Sequence, residues 1–133
     1  MRPITRALVT GGAGFLGGWL VEELASSGCD VVVLDRTAEL PLDPAEATLI
    51  QGDLGDLDVG AIVGEGGFDA IFHLIGTPSV PESVEQPAQD LLLNADTTLT
   101  VLEAARRAAG PPLVVFVSSA AVYGFLRWLR IVR

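Results

Sequence analysis

Lysine is absent from the 133-residue sequence, so all eight basic residues are arginines and no site can depend on a lysine amine. Cysteine is nearly absent too, because Cys29 is the only thiol. A single thiol cannot form an internal disulfide, which favours a reducing compartment and predicts a cytoplasmic protein. We interpret Cys29 as a small buried side chain near the end of a helix, and we predict no metal site.

Long apolar runs are also missing, since no stretch reaches the length that a membrane span needs and we recognise no signal peptide. We therefore expect a soluble protein with no membrane partner. Positive charge is scarce, because 8 arginines stand against 17 acidic residues and the net charge is −9. Such a surface repels the phosphates of nucleic acids, whereas backbone N–H groups can still bind the phosphates of a dinucleotide.

Five short apolar segments have the composition of buried strands. They cover residues 7–10, 31–34, 48–50, 70–75 and 113–117. Nearly continuous apolar runs of this kind are typical of strands that are covered on both faces of a parallel sheet, and helical patterns lie between them. The sequence therefore predicts an α/β fold, a Rossmann-like doubly wound parallel sheet in the strand order 3-2-1-4-5, with its ligand at the carboxyl ends of the strands.

Three segments are predicted to be helices, over residues 15–27, 56–64 and 88–109. The spacing of apolar residues gives the first helix a buried face of Leu16, Leu20, Val21 and Leu24. The same spacing gives the long third helix a buried face of Leu91, Ala95, Leu99, Leu102 and Ala105. Residues 37–47 and 76–87 contain prolines and are predicted to be loops.

A glycine cluster joins the first predicted strand to the first helix. Gly11, Gly14 and Gly17 have the spacing GxxGxxG, a variant of the dinucleotide-binding fingerprint. The turn needs a positive φ, and a side chain there would hold a pyrophosphate away from the backbone. The start of the helix offers N–H groups and a partial positive charge, so we predict a pyrophosphate site at this turn.

An acidic residue ends the second predicted strand. Asp35 follows Gly17 by 18 residues, where an acid binds the hydroxyls of the adenosine ribose. A carboxylate at this point repels the 2′-phosphate of NADP, so the sequence favours NAD. Arg36 keeps NADP open as the alternative.

With these motifs in place, the chain resembles the extended short-chain dehydrogenases/reductases, and among them the NAD-dependent epimerases and dehydratases of nucleotide sugars. The resemblance covers about residues 5–124. Its motifs are TGGAGFLG at 10–17, VLDR at 33–36, GDL at 52–54, FHLIG at 72–76, Asn94, and SSAAVYG at 118–124. Their number and order make the resemblance specific at the level of the superfamily.

The resemblance implies contacts with the diphosphate and adenine. Phe15 and Leu16 would offer backbone contacts at the pyrophosphate turn. Asp53 would accept a hydrogen bond from the adenine amino group, and Leu54 would pack on adenine. Asp53 also has a purely structural interpretation, as a cap of the segment that follows it.

Further roles concern the nicotinamide end and the substrate. The resemblance implies that the path to the nicotinamide ribose is lined by Leu74, Ile75 and Gly76. Asn94 would steady the long helix near the cofactor, or is only a structural amide. Ser119 would bind the substrate oxygen that is oxidised, or only satisfies a strand end. We interpret His73 as a core histidine with satisfied hydrogen bonds.

The catalytic pair of this family is Tyr-x-x-x-Lys, in which the tyrosine exchanges a proton with the sugar and the lysine lowers its pKa. A sequence without lysine cannot contain this pair. We therefore expect a truncated domain that binds NAD(H) without turnover, derived from a parent with a nucleotide-sugar substrate. Tyr123 and Arg127 have the same spacing, but Tyr123 already belongs to the serine motif.

We predict an NAD(P)-binding domain over residues 1–124 and an atypical tail over 125–133. The apolar, basic tail is interpreted as frayed or frame-shifted, with a small membrane-surface or partner patch as the alternative. The fifth strand would be an uncovered edge, which favours low stability and a homo-oligomer. The alternative function is a non-catalytic module that binds a dinucleotide and a protein partner.

Overall fold

The computed structural model describes residues 3–40, 47–77, 79–119 and 122. The tail over 125–133, together with Tyr123 and Arg127, lies outside the described residues, as does most of the predicted loop over 37–47. The domain boundaries and the tail therefore stay predictions.

Within these described ranges, five strands form one parallel sheet in the order β3-β2-β1-β4-β5. The strands are β1 (Arg6–Thr10), β2 (Asp30–Asp35), β3 (Ala47–Gln51), β4 (Ala70–His73) and β5 (Leu113–Phe116). Both the predicted α/β doubly wound fold and the predicted strand order are confirmed. The reversal of strand order between β1 and β4 opens a crevice at the carboxyl edge of the sheet.

Both faces of the sheet are covered, which explains the continuous apolar runs of β1 and β2. Alternate strand residues point to opposite faces. Leu8, Leu34 and Ile71 pack into a core with the helices on one face. Val9 and Val33 pack into a second core on the other face.

The helices are α1 (Phe15–Ser26), α2 (Val59–Gly66), α3 (Val80–Glu85), α4 (Pro87–Leu91) and α5 (Thr97–Arg107), with a π-helical turn at Leu92–Asp96 between α4 and α5. The first two predicted helices are confirmed, the second with shifted bounds. The predicted long helix exists but contains the π-helical turn. No helix within the described ranges combines the length and the apolar character that a membrane span requires.

The prediction of a loop over 76–87 is wrong in part, because α3 lies inside it. The side chain of Ser79 caps this helix by accepting a hydrogen bond from the backbone N–H of Glu82, at 3.4 Å. Pro81 stands in the first turn of α3. A proline is tolerated there because its missing N–H would have no partner within the helix.

The predicted buried face of α1 is wrong at Leu16, which is 55% exposed. The buried residues of α1 are Gly17, Gly18 and Val21. Leu20 and Leu24 are half-buried and pack against the core on this side. The two glycines replace Leu16 in the contact because the start of α1 lies directly on the glycine turn.

The predicted apolar face of the long helix is wrong as well. Exposed residues on this helix include most of the predicted set, namely Leu91, Ala95, Leu99 and Leu102. Among the predicted residues, only Ala105 is buried. The buried residues of α5 are Thr97, Val101, Ala104 and Ala105, whose small side chains allow close packing against α2 and the sheet.

Cys29 is buried directly before β2, as predicted. Burial raises the pKa of its thiol, and the carboxylates of Asp30 and Asp69 raise it further. Because the thiolate is the reactive form, we expect Cys29 to react with a disulfide reagent such as DTNB at least about 100-fold more slowly in the native protein than in denaturant. Labelling at equal rates in both conditions would contradict this.

Candidate functional site

A cleft of about 410 Å³ lies at the carboxyl edge of the sheet. Among the described residues, its lining comes from the glycine turn after β1, the end of β2 and the segments after β3 and β4, and also from α3, the π-helical turn and the start of α5. The predicted site residues that line it are Gly11, Gly14, Asp35, Arg36, Asp53, Leu54, Leu74, Ile75 and Gly76. The topology thus brings together motifs that are spread over 66 residues of sequence, from Gly11 to Gly76.

Five predicted site residues stand outside this lining. Phe15 and Leu16 form the first turn of α1, and their side chains are exposed. Gly17 lies beneath the turn. Asn94 supports the segment after β4 through hydrogen bonds. Ser119 follows β5 and is exposed.

Sequence reasoning missed part of the lining. The missed residues are Ala13, Thr37, Thr77, Glu82, Leu93 and Thr97. Ala13, Thr37 and Thr77 directly adjoin predicted residues, so the motifs give a signal for them. Glu82 belongs to α3, the helix that the sequence analysis missed.

The glycine turn has a backbone geometry that few side chains tolerate. Gly11 has a φ of +76°, which favours glycine. Its N–H donates to the carbonyl oxygen of Leu34 at 2.9 Å. A Cβ at Gly11 would lie 3.1 Å from the backbone nitrogen of Ile75. The turn is therefore packed tightly between the end of β2 and the segment after β4.

Gly17 allows α1 to start against this turn. A Cβ there would collide with the carbonyl oxygen of Gly11 and would lie 2.7 Å from the Cα of Gly12. Gly14 is the N-cap of α1, and no side chain caps the helix. The first N–H groups of a helix have no acceptor within it, so this end of α1 has the donors and the positive dipole that bind an anion.

The carboxylate of Asp35 is hydrogen-bonded to the glycine turn. Its Oδ2 accepts a hydrogen bond from the N–H of Ala13 at 3.0 Å, and its Oδ1 accepts one from the N–H of Thr37 at 3.0 Å. These two bonds fix the orientation of the carboxylate at the cleft. Each oxygen keeps a second acceptor position, so the carboxylate retains the capacity to accept hydrogen bonds from a diol.

Asp53 caps the turn that follows β3 and also lines the cleft. Its Oδ1 accepts a hydrogen bond from the N–H of Gly55 at 3.0 Å, which caps the following turn. Its Oδ2 lies 3.9 Å from Nη1 of Arg36, while the residue also lines the cleft. The Arg36 side chain is 71% exposed, so this ion pair contributes little to stability.

Asn94 holds the segment after β4 to the long helix. Its Oδ1 accepts from the N–H of Thr77 at 3.1 Å, and its Nδ2 lies 2.9 Å from Oδ1 of Asp90 and 3.2 Å from Oγ1 of Thr77. A Cβ at Gly76 would lie 3.0 Å from Oδ1 of Asn94. The amide therefore fixes the wall of the cleft without lining it.

Three features together define a dinucleotide-binding domain of the Rossmann type. They are the glycine turn at the crevice of the parallel sheet, the helix that starts at that turn, and the acidic residue that ends β2. Comparison of the sequence with known families then identifies the particular one. The profile of the NAD dependent epimerase/dehydratase family matches residues 7–127, and the chain belongs to this family.

Individual relatives agree with this assignment. UDP-glucose 4-epimerase of Corynebacterium glutamicum is 41% identical over 121 residues, which are 90% of this chain and 36% of that protein. MoeE5, solved with UDP-glucuronic acid and NAD, is 38% identical with a TM-score of 0.79, over 90% of this chain and 38% of that one. UDP-glucose 4-epimerase of Bifidobacterium longum, solved with NAD+ and UDP, is 30% identical with a TM-score of 0.82, over the same shares. The chain thus spans little more than a third of these proteins.

Proposed function

We propose that this chain binds NAD(H) in the cleft at the carboxyl edge of its sheet, as the cofactor domain of an epimerase or dehydratase of nucleotide sugars. One observation carries the proposal: the N–H of Ala13 donates to Oδ2 of Asp35 at 3.0 Å. This bond joins the turn suited to a pyrophosphate and the acid suited to a ribose into one site.

The lining of the cleft supports an assignment of its parts. The pyrophosphate binds at the N–H groups of the first turn of α1, where Gly11, Gly14 and Gly17 allow the turn and the helix to pack closely together. Asp35 accepts hydrogen bonds from the hydroxyls of the adenosine ribose. Asp53 and Leu54 bind adenine at the segment after β3.

The segment after β4 supports the nicotinamide end of this assignment. Leu74, Ile75 and Gly76 line the path to the nicotinamide ribose, and Asn94 holds that path in place from behind. Ser119 binds the reacting oxygen of a nucleotide sugar in the parent enzyme. The chain has no lysine and hence no Tyr-x-x-x-Lys, so we expect it to bind NAD(H) without epimerising a sugar.

Two further assignments belong to this proposal. The single cysteine supports a reducing compartment, and we propose the cytoplasm. Among the described residues, β5 stands at the edge of the sheet and exposes apolar side chains, with Leu113 at 60% and Phe116 at 52% exposure. Exposed apolar surface on an edge strand favours association, so we propose that the chain forms a homo-oligomer.

Calorimetric titration tests NAD binding directly, with NADP as the competing cofactor. We expect NAD to bind more tightly than NADP, because the Asp35 carboxylate repels a 2′-phosphate. NAD at about 100 times its Kd stabilises the folded state by about 2.7 kcal/mol, which raises Tm by roughly 10 °C. The proposal fails if neither dinucleotide binds and neither raises Tm.

A further inference from the structure

The only histidine of the chain lies buried between the glycine turn and the long helix. His73 is 1% exposed. Its Nδ1 lies 2.7 Å from Oγ1 of Thr10, the residue directly before the glycine turn. Its Nε2 lies 3.2 Å from Oγ1 of Thr98 on α5, and its ring stacks on that of Phe116 at 6.0 Å between centroids. The prediction of a satisfied core histidine is confirmed.

The hydrogen bonds around His73 determine its tautomer. A threonine hydroxyl has one hydrogen to donate. Thr98 donates it to the carbonyl oxygen of Asn94 at 2.6 Å, so Oγ1 of Thr98 can only accept from Nε2–H of His73. The neutral ring then has an unprotonated Nδ1, which accepts the hydroxyl hydrogen of Thr10.

This chain of bonds connects two walls of the cleft. Thr10 leads into the glycine turn, and its carbonyl oxygen also accepts from the N–H of Leu74 at 3.0 Å. At the other end, Asn94 belongs to the π-helical turn and holds the N–H of Thr77 with its side chain. The order Thr10, His73, Thr98, Asn94 thus runs from the proposed diphosphate site to the wall near the proposed nicotinamide site.

We propose that neutral His73 is a positioning residue for the NAD site, because it holds the glycine turn and the Asn94 wall at a fixed separation, and that protonation of His73 weakens NAD binding. This inference rests on the proposed function of the cleft. His73 does not line the cleft, so it acts through Thr10 and Asn94 and not by contact with the cofactor.

Protonation of the ring disturbs this chain of hydrogen bonds at one atom, Nδ1 of His73. A proton on Nδ1 turns an acceptor into a donor that faces the hydroxyl of Thr10, which must then give up its own donation. Burial lowers the pKa of His73 from its ordinary value of 6.5. The charged side chains on the neighbouring elements β1, the π-helical turn and α5 are Arg6, Asp96, Glu103, Arg106 and Arg107.

The direction of the pH dependence follows from this lowered pKa. A loosened or unfolded chain, with an ordinary histidine, takes up a proton more readily than the native site does. The contribution of neutral His73 to the stability of the native site is therefore complete above a pH of about 6.5. It decreases as the pH falls towards the lowered pKa of the native state.

A single histidine permits a direct test by ¹⁵N NMR of the imidazole ring in the untagged chain. We expect Nε2 protonated and Nδ1 unprotonated at about pH 8. Because binding linkage is reciprocal, NAD should lower the pKa of His73 further, and NAD affinity should fall by about 5-fold or more once the ring is protonated. If His73 is not coupled to the site, the ring senses only the negative charge of the bound diphosphate, which raises its pKa. An unchanged or raised pKa in the presence of NAD would therefore overturn the inference.

Three variants complete the test. In His73→Gln, the amide offers one acceptor and one donor without titrating, so we expect rescue of NAD binding with loss of the pH dependence below about 6.5. Thr98→Val removes the acceptor of Nε2–H and should weaken NAD about 5-fold or more. Thr100→Val removes a similar bond, to the carbonyl oxygen of Asp96 at 3.0 Å, without touching His73, and should bind NAD as the wild type does.

The results separate this inference from the proposed function. If the wild type binds NAD but Thr98→Val binds it equally well, or if His73→Gln keeps the full pH dependence, the role of His73 is refuted and the NAD site stands. If the wild type binds no NAD at about pH 8, both are refuted.

Discussion

Replacing Gly17 with alanine is expected to weaken NAD binding strongly and to destabilise the fold. The added Cβ would collide with the carbonyl oxygen of Gly11 and would lie 2.7 Å from the Cα of Gly12. Both are backbone atoms of the glycine turn, so neither can move aside as a flexible side chain would. Either α1 moves away from the sheet or the turn deforms, and each change displaces the N–H groups proposed to bind the diphosphate.

Two magnitudes follow for Gly17→Ala. Overpacking of this kind costs about 1–3 kcal/mol of unfolding free energy. Misplacement of the diphosphate donors should weaken NAD by on the order of 100-fold, which is about 2.7 kcal/mol. Urea denaturation gives the first quantity, and calorimetry at a temperature where circular dichroism shows a folded protein gives the second.

Gly64→Ala is the matched control for Gly17→Ala. Gly64 lies inside α2, and a Cβ there would meet no atom within 4 Å. Alanine is favoured over glycine in a helix by up to about 1 kcal/mol, so this variant should be slightly stabilised and should bind NAD normally. Equal NAD affinity in Gly17→Ala and Gly64→Ala would show that the glycine turn does not bind the diphosphate.

The sheet could be predicted from the sequence because its central strands β1 and β2 are buried on both faces. Val31, Val32 and Val33 form an apolar run that has no amphipathic period, and such a run fits the middle of a parallel sheet. The core of the site could also be predicted, since Gly11 follows β1 and Asp35 ends β2, and the carboxyl ends of parallel strands meet at one edge of the sheet.

The packing of the long helix could not be predicted in the same way. The π-helical turn at Leu92–Asp96 inserts an extra residue into the helical repeat. A face that continues from Leu91 to Leu99 therefore loses its phase. Small residues such as Ala104 then decide the buried face, because they allow close approach to α2.

The hydrogen-bond partners of His73 and Asn94 could not be predicted from the sequence either. His73 pairs with Thr10, which is 63 residues away, and with Thr98, which is 25 residues away. Threonines are frequent in strands and helices, so neither partner stands out in the sequence. Asn94 could be recognised by its motif, but the sequence did not reveal that it holds the N–H of Thr77.

Substitution of Asp35 by asparagine is expected to reverse the preference for NAD over NADP. In the proposed site, the Asp35 carboxylate both accepts hydrogen bonds from a ribose diol and repels a 2′-phosphate. Hydrogen bonds to charged groups contribute about 1.5–3 kcal/mol, so NAD should bind about 10- to 100-fold more weakly. NADP should bind more tightly than to the wild type, because Arg36 is then free of the neighbouring negative charge of Asp35.

Asparagine is the informative replacement because it keeps part of the local structure. Its single amide oxygen can still accept from the N–H of Ala13 or of Thr37, the two donors that Asp35 binds at 3.0 Å. Asp56→Asn is the matched control, since Asp56 is exposed and does not line the cleft. Calorimetry with both cofactors on the three proteins measures the reversal.

A further variant tests whether Arg36 causes the expected gain in NADP affinity. In the double variant Asp35→Asn/Arg36→Ala, the cation that would meet the 2′-phosphate is gone, so the gain in NADP affinity should disappear while NAD binding stays weak. Arg36 lies 3.9 Å from Asp53 and is largely exposed, so it can turn towards a phosphate at little cost in stability. If the double variant still prefers NADP, the preference comes from another cation and Arg36 is not part of the site. If Asp35→Asn binds NAD as tightly as Asp56→Asn does, the carboxylate does not bind the ribose.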